Sequence, residues 1–235
     1  AKVGDVLDRV LGVSTSVKPP RRQEGHQCGN AIEYNGYAYR TVRIGDQCWF
    51  AENLRTEEYN NGDMIPANLT YLEWQSTTSG GVVVLEESAP NLETYGRLYN
   101  WYAAEDPRGL CPSGWYVPTK GDWMTLAAFL GGDQTHSDEA GLEMISLIGD
   151  KMKTSLGWGA DDGGTNSSGF SVLPAGSRHS TLGFMRPGGS GVFWSSSPST
   201  VGAFNFVLIA GRAEAFTADV SCASGFSVRC IRGAE

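Results

Sequence analysis

LCPSGWYVPTKGDWMTLAAF, residues 110–129, changes its period within one short stretch. Residues 110–119 read as a strand entering a helix, Trp115, Tyr116 and Val117 being the aromatic and β-branched types that suit a pleated surface. Thr119 with Asp122 three residues on has the spacing of a capping box, in which a hydroxyl and a carboxylate satisfy N–H groups that the first helical turn leaves free. Trp123, Leu126 and Phe129 then recur at helical spacing until Gly131-Gly132 stops the run.

On the N-terminal side, Tyr37, Tyr39, Thr41 and Val42 to Ile44 lead through Gly45-Asp46 into Cys48-Trp49-Phe50, a hairpin signature. Asn60-Asn61-Gly62 and Ser79-Gly80-Gly81 mark turns, and residues 82–85 read as a strand or an insertion. Leu98, Tyr99, Trp101 and Tyr102 read as an aromatic helical turn or short helix in the core. On the C-terminal side, Leu142, Ile145, Leu147, Ile148 and Met152 predict a second helix over residues 138–154, capped by Ser137. A polar loop over 157–168 follows, then short strands at 169–176, 192–197, 204–209 and 225–231. Strands, two helices, then antiparallel strands describe an α+β fold, with two helices packed on short antiparallel sheets and long loops between.

Residues 1–25 read as a separate arm before a domain over 26–235. Val3, Val6, Leu7, Val10, Leu11 and Val13 would form one apolar stripe on a short helix, suited to packing on its own domain or to self-association, and Pro19-Pro20 makes a stiff linker. The chain opens on Ala1 and not Met, as it would if a signal peptide or anchor had been removed.

The formal charge of -8, with basic residues clustered only at Lys18, Arg21 and Arg22, argues against a nucleic-acid partner. No apolar run approaches the roughly 20 residues that a membrane span needs. Thirty-one glycines, ten prolines and seven tryptophans fit a loop-rich fold closed by large aromatics. Cys28, Cys48, Cys111, Cys222 and Cys230 lack zinc spacing, so disulfides with one thiol left over are expected. Asn68-Leu69-Thr70 and Asn166-Ser167-Ser168 are glycosylation-type sequons. His26, His136 and His179 are scattered, and neither a Gly-x-Ser-x-Gly elbow nor a His-x-x-x-His pair occurs, so no enzyme is expected.

TVRIGDQCWFAENLR (41–55), YGRLYNWYAA (95–104), LCPSGWYVPTKGDW (110–123), GFSVLPAGSR (169–178), FWSSS (193–197) and GFSVRCIRG (225–233) together resemble the Fibrobacter succinogenes major paralogous domain. That resemblance implies a C-type-lectin-like fold, near the formylglycine-generating enzymes, on a secreted or cell-surface bacterial protein. Some such domains resemble the variable proteins of diversity-generating retroelements, in which a C-terminal stretch is rewritten on a kept scaffold. By that comparison the ligand face, for a protein or glycan, lies within residues 177–224, and His179, Phe184, Met185, Arg186, Phe204, Asn205, Phe206, Arg212, Glu214 and Phe216 are its candidate contacts. Phe204 and Phe206, two apart in a strand, share a side, so that row reads equally as core with Asn205 facing out, and Trp115, Trp123 and Trp194 read as core.

The enzymes nearest by fold bind copper through a close cysteine pair near the C-terminus. Here Cys222 and Cys230 are the only candidates; alternatively they form a disulfide, or Cys230 pairs with Cys48 or Cys111 and leaves Cys222 free. The calcium loops of sugar-binding C-type lectins are absent. Asp161-Asp162-Gly163-Gly164-Thr165-Asn166 offers oxygen ligands but reads first as a solvated turn, so no cofactor is expected, with calcium the one ion to consider.

Overall fold

The structure is a computed structural model, and it describes residues 26–137, 142–159 and 163–233. The arm expected over residues 1–25 lies outside the described residues, as do Asp161 and Asp162.

Strands β1 (Ile32–Tyr34) and β2 (Tyr37–Tyr39) meet at Asn35 and Gly36, whose φ angles of 45° and 78° suit the two-residue turn that matches strand twist. Strands β3 (Thr41–Ile44) and β4 (Gln47–Phe50) make the expected second hairpin, and the last strand, β14 (Ile231–Gly233), pairs with β4. The two ends of the described domain are thus laced into one three-stranded sheet.

Between them come α1 (Tyr71–Ser76), β5 (Val82–Val84), α2 (Ala89–Tyr95), β6 (Arg97–Tyr99) and α3 (Trp101–Ala104). Residues 82–84 are therefore a strand, paired with β6. Leu98 and Tyr99 belong to that partner strand, and helix begins only after Asn100, whose side chain accepts from the Ala103 N–H at 3.0 Å. Helix α4 (Lys120–Phe129) opens as its sequence predicts: Thr119 Oγ1 accepts from the Asp122 N–H, and the Asp122 carboxylate accepts from the Thr119 N–H at 2.8 Å.

The second predicted helix is not formed. β7 (Gln134–Ser137) and β8 (Glu143–Ile145) are strands, and among the described residues of that stretch only α5 (Gly149–Met152) is helical. The apolar spacing fitted a helix, but the chain meets an open sheet edge, where β8 pairs with strand β13 (Ala215–Val220) and the Gly149 N–H donates to the Ala213 carbonyl. Leu147, at φ 60°, turns the backbone left-handed between the two segments. The fold therefore has few helices and several small antiparallel sheets, a mixed α+β arrangement.

The largest sheet runs β11 (Ser190–Pro198), β12 (Ala203–Ile209), β13, β8, β7, and a small hairpin, β9 (Ser177–His179) with β10 (Gly183–Met185), stands beside it. Strands β11 and β12 have core on both sides. Val192, Trp194 and Ala203 pack with Tyr39, Phe50 and Tyr99, while Phe193, Phe206 and Leu208 pack with Trp49, Trp123 and Phe170.

Cys28 bonds Cys48 and Cys111 bonds Cys230, which leaves Cys222 as the free thiol, one of the alternatives open in the sequence. Two disulfides fit an oxidising, non-cytoplasmic compartment. No helix among the described residues is long and apolar enough to cross a membrane.

The bridges close loops of 119 and 20 residues. In the chain-entropy account, replacing Cys111 and Cys230 by Ala lowers unfolding free energy in urea by roughly 5 kcal/mol, against roughly 3 kcal/mol for the Cys28 and Cys48 pair. Equal losses would show that loop length does not set the difference. A pH dependence follows from the buried phenols. Burial pushes Tyr34 up to about 12, and Tyr39 and Tyr99 are also raised by burial. Their folded values exceed the unfolded value of about 10, so their contribution is complete below pH ~10 and is lost as pH rises through the folded values. Arg229 opposes them, since burial pushes it down to about 9, but the phenols outnumber it. The urea midpoint should fall between about pH 10 and 12; a rise there would mean that the arginine dominates.

Candidate functional site

Alternation along β12 divides its side chains between two faces: Phe204, Phe206 and Leu208 on one, Ala203, Asn205, Val207 and Ile209 on the other. Paired residues share a face, so Ser190 and Val192 of β11 and Val220 of β13 join the second set. The β9–β10 hairpin folds over that face. Gly176 bridges Gly191, and Arg178 exchanges main-chain hydrogen bonds of 2.8 and 2.7 Å with Gly225.

Close packing fixes the hairpin there. Arg178 and Phe184, paired across it, turn away from the sheet toward α1, where the Arg178 guanidinium lies 4.4 Å over the Trp74 ring and 5.5 Å from that of Phe184. Burial lowers the Arg178 pKa. Tyr71 on α1 donates its hydroxyl hydrogen bond to the Thr181 carbonyl in the hairpin turn. Gly176 is required where it stands: its φ is 66°, and a Cβ there would come within 2.5 Å of the Met185 carbonyl oxygen.

Between the hairpin, this sheet face and the loop 221–226 lies a cavity of about 340 Å³. Four of the ten candidate residues line it: His179, Met185, Arg186 and Asn205. His179 and Arg186 are exposed and stand at the mouth. The His179 Nδ1 accepts from the Thr181 N–H at 3.1 Å, which leaves Nε2 as the end that meets solvent. Asn205 does not face out to solvent as the strand alternation suggested; it is 5% exposed, on the cavity face of a sheet that the hairpin covers.

The other six candidates are not brought to the cavity. Phe206 is 0% exposed and stacks on Trp123 at 4.5 Å, so it is core and out of reach of a ligand. Phe204, on the same side, lies under the Lys120 ammonium at 4.1 Å. Phe184 belongs to the far side of the hairpin. Phe216 is buried with the Arg212 guanidinium 6.0 Å over its ring, and Arg212 and Glu214 occupy the turn between β12 and β13. Residues absent from the candidate set complete the cavity wall, among them Ser190, Val192, Val207, Ile209, Val220, Ser224 and Phe226. Extending the period of two from Asn205 along β12 would have found Val207 and Ile209; Ser224 and Phe226 come from a loop with no such signal.

Cys222 sits in that loop, and burial pushes its thiol up, so little thiolate forms near neutral pH. Its supposed partner for copper, Cys230, is bonded to Cys111, so the two do not form a thiol pair here. Among the described residues no group of three or more His, Cys, Asp or Glu is placed to hold a metal ion. Asn166, from the stretch considered for calcium, is tied to Ser171 by hydrogen bonds of 2.8 and 2.9 Å, a turn-stabilising arrangement.

No curated protein and no solved structure matches the chain. The model of one family, described as the Fibrobacter succinogenes major domain, matches residues 42–232. With most of its length so matched, the chain belongs to the Fibrobacter succinogenes major domain family.

Proposed function

We propose that this chain is a non-catalytic, C-type-lectin-like binding or display module of the cell exterior, whose ligand enters the cavity beneath the β9–β10 hairpin. The observation that carries the reading is convergence: His179, Met185, Arg186 and Asn205, taken as contacts before any geometry, line one cavity. Its volume of about 340 Å³ falls within the range of small-ligand sites, and apolar walls with a few polar groups are what such sites use. At the mouth, the exposed His179 and Arg186 can change without disturbing the core, as a retroelement-diversified ligand face would require. The two disulfides suit the extracellular setting.

The test is a fragment screen by ligand-observed NMR against the full chain and against Val207→Trp, which fills the cavity from a half-buried position. Near-ultraviolet circular dichroism checks that the variant is folded. Fragments that bind the parent should lose at least tenfold in affinity to the variant; hits that bind both equally would place the ligand site elsewhere.

A further inference from the structure

The β9–β10 hairpin ends in an open sheet edge. Arg178 of β9 exchanges its main-chain N–H and C=O bonds with Gly225, so both groups point away from β10. In an antiparallel ladder the residue opposite must then point its own N–H and C=O outward, and that residue is Phe184. The main-chain pair of Phe184 therefore lies along the outer edge of β10, where no further strand pairs among the described residues. Neither group has a hydrogen-bond partner among the described residues. Strand β11 is closed in a way that β10 is not: on its outer side the Ser227 N–H donates to the Val192 carbonyl, and the Ser227 carbonyl accepts from the Trp194 N–H. An unpaired main-chain edge is a template for another strand, and at three residues this one is short.

The surroundings define what such a strand would carry. Tyr71 donates its hydroxyl hydrogen bond to the Thr181 carbonyl, which brings the start of α1 against the hairpin turn. Tyr71, Leu72 and Leu182 are exposed large hydrophobic side chains on those two segments. Paired residues share a face, so a residue opposite Phe184 would lie on the α1 side of the hairpin. The chain's formal charge is -8, yet residues 177–189 carry two arginines and one histidine and no carboxylate. Arg186, exposed at the end of β10, makes no ion pair among the described residues. A main-chain donor and acceptor on one residue, beside apolar surface and positive charge, are matched by another main chain.

We infer that the hairpin takes its ligand as an added strand: an extended segment of a protein ligand, apolar opposite Phe184 and acidic toward Arg186, pairs with the outer edge of β10. The inference rests on the binding role proposed above, and on the hairpin's edge rather than on the contents of the cavity.

The experiment pans the full chain against a phage-displayed library of random heptapeptides, and the enriched sequences are synthesised with capped ends. They should show alternating apolar residues and a carboxylate. In the complex, hydrogen exchange of the Phe184 amide should slow at least about tenfold, because a free N–H becomes a bonded one. N-methylation of the peptide residue that pairs with Phe184 should raise the Kd about tenfold, while N-methylation of its two neighbours, whose N–H groups point away, should leave it unchanged. Arg186→Glu should weaken acidic peptides about threefold at low salt. No enriched peptide, enriched peptides that leave Phe184 exchange unchanged, or N-methylation tolerated at every position would each overturn the inference. Peptides that protect Phe184 and bind Val207→Trp as tightly as the parent support the added strand even if the fragment screen fails. Peptides lost in Val207→Trp, with Phe184 exchange unchanged, place the ligand in the cavity, and only the added strand falls.

Discussion

A guanidinium closed off from water ties together three separate parts of this chain. Arg229 is 1% exposed; its Nε donates to Asn53 Oδ1 at 2.9 Å, and its terminal nitrogens donate to the carbonyls of Phe50, Phe170 and Ser171. It makes no ion pair among the described residues, so carbonyl dipoles and the Phe170 ring, 4.5 Å away, take the place of a counter-charge. The desolvation cost is visible in its pKa, lowered to about 9. Lysine could not substitute, because three donors on a flexible stem cannot reach four acceptors from β4, the segment after it and the loop before β9. Next to it, Cys230 is bonded to Cys111. The C-terminal segment is thus locked from two adjacent positions, one covalent and one polar, and the sheet that carries the cavity is built against it.

That lock explains why the cavity lies where it does. With core on both sides of β11 and β12, the indole N–H of Trp194 donates to the Tyr99 carbonyl on one side, and that of Trp123 donates to the Trp194 carbonyl on the other. Such a sheet has little freedom to change: altering either row leaves a void or an overpacked contact. Only at the margin of the first of these cores, at Val207, Ile209 and Val220, is the sheet face left for the hairpin to cover, with the cavity between them.

Much of this was legible in the sequence, and the limits have physical reasons. The capping box at Thr119 and the hairpin at Gly45-Asp46 are local, and both formed where their residues indicated. Period alone misled over residues 138–154, because Leu142, Ile145 and Ile148 are spaced as well for a helix as for a strand end and turn beside a sheet, and pairing with β13 is a long-range fact. For the site, residue type was a poor guide to side. Phe206 looked like a contact and is core; Ser190 and Ser224 carry no signal in the sequence, and they line the cavity. The cation–π stack of Arg178 on Trp74, which seats the hairpin, joins residues 104 positions apart in the chain (178 − 74) and left no local trace.

Asn205 shows how the rigid and changeable parts are joined. Its side-chain oxygen accepts from the N–H of Ala218, the residue opposite it in the β12–β13 ladder, so the amide is held by the sheet itself. One end of the side chain is spent on the scaffold, and the residue lines the cavity in an orientation that the ladder fixes. Binding groups fixed in this way lose little conformational entropy on association. His179 and Arg186 at the mouth are exposed and lose more, and can be exchanged without loss of packing. In the proposed binding role, the floor is the part of the cavity that the fold fixes and the mouth is the part open to exchange.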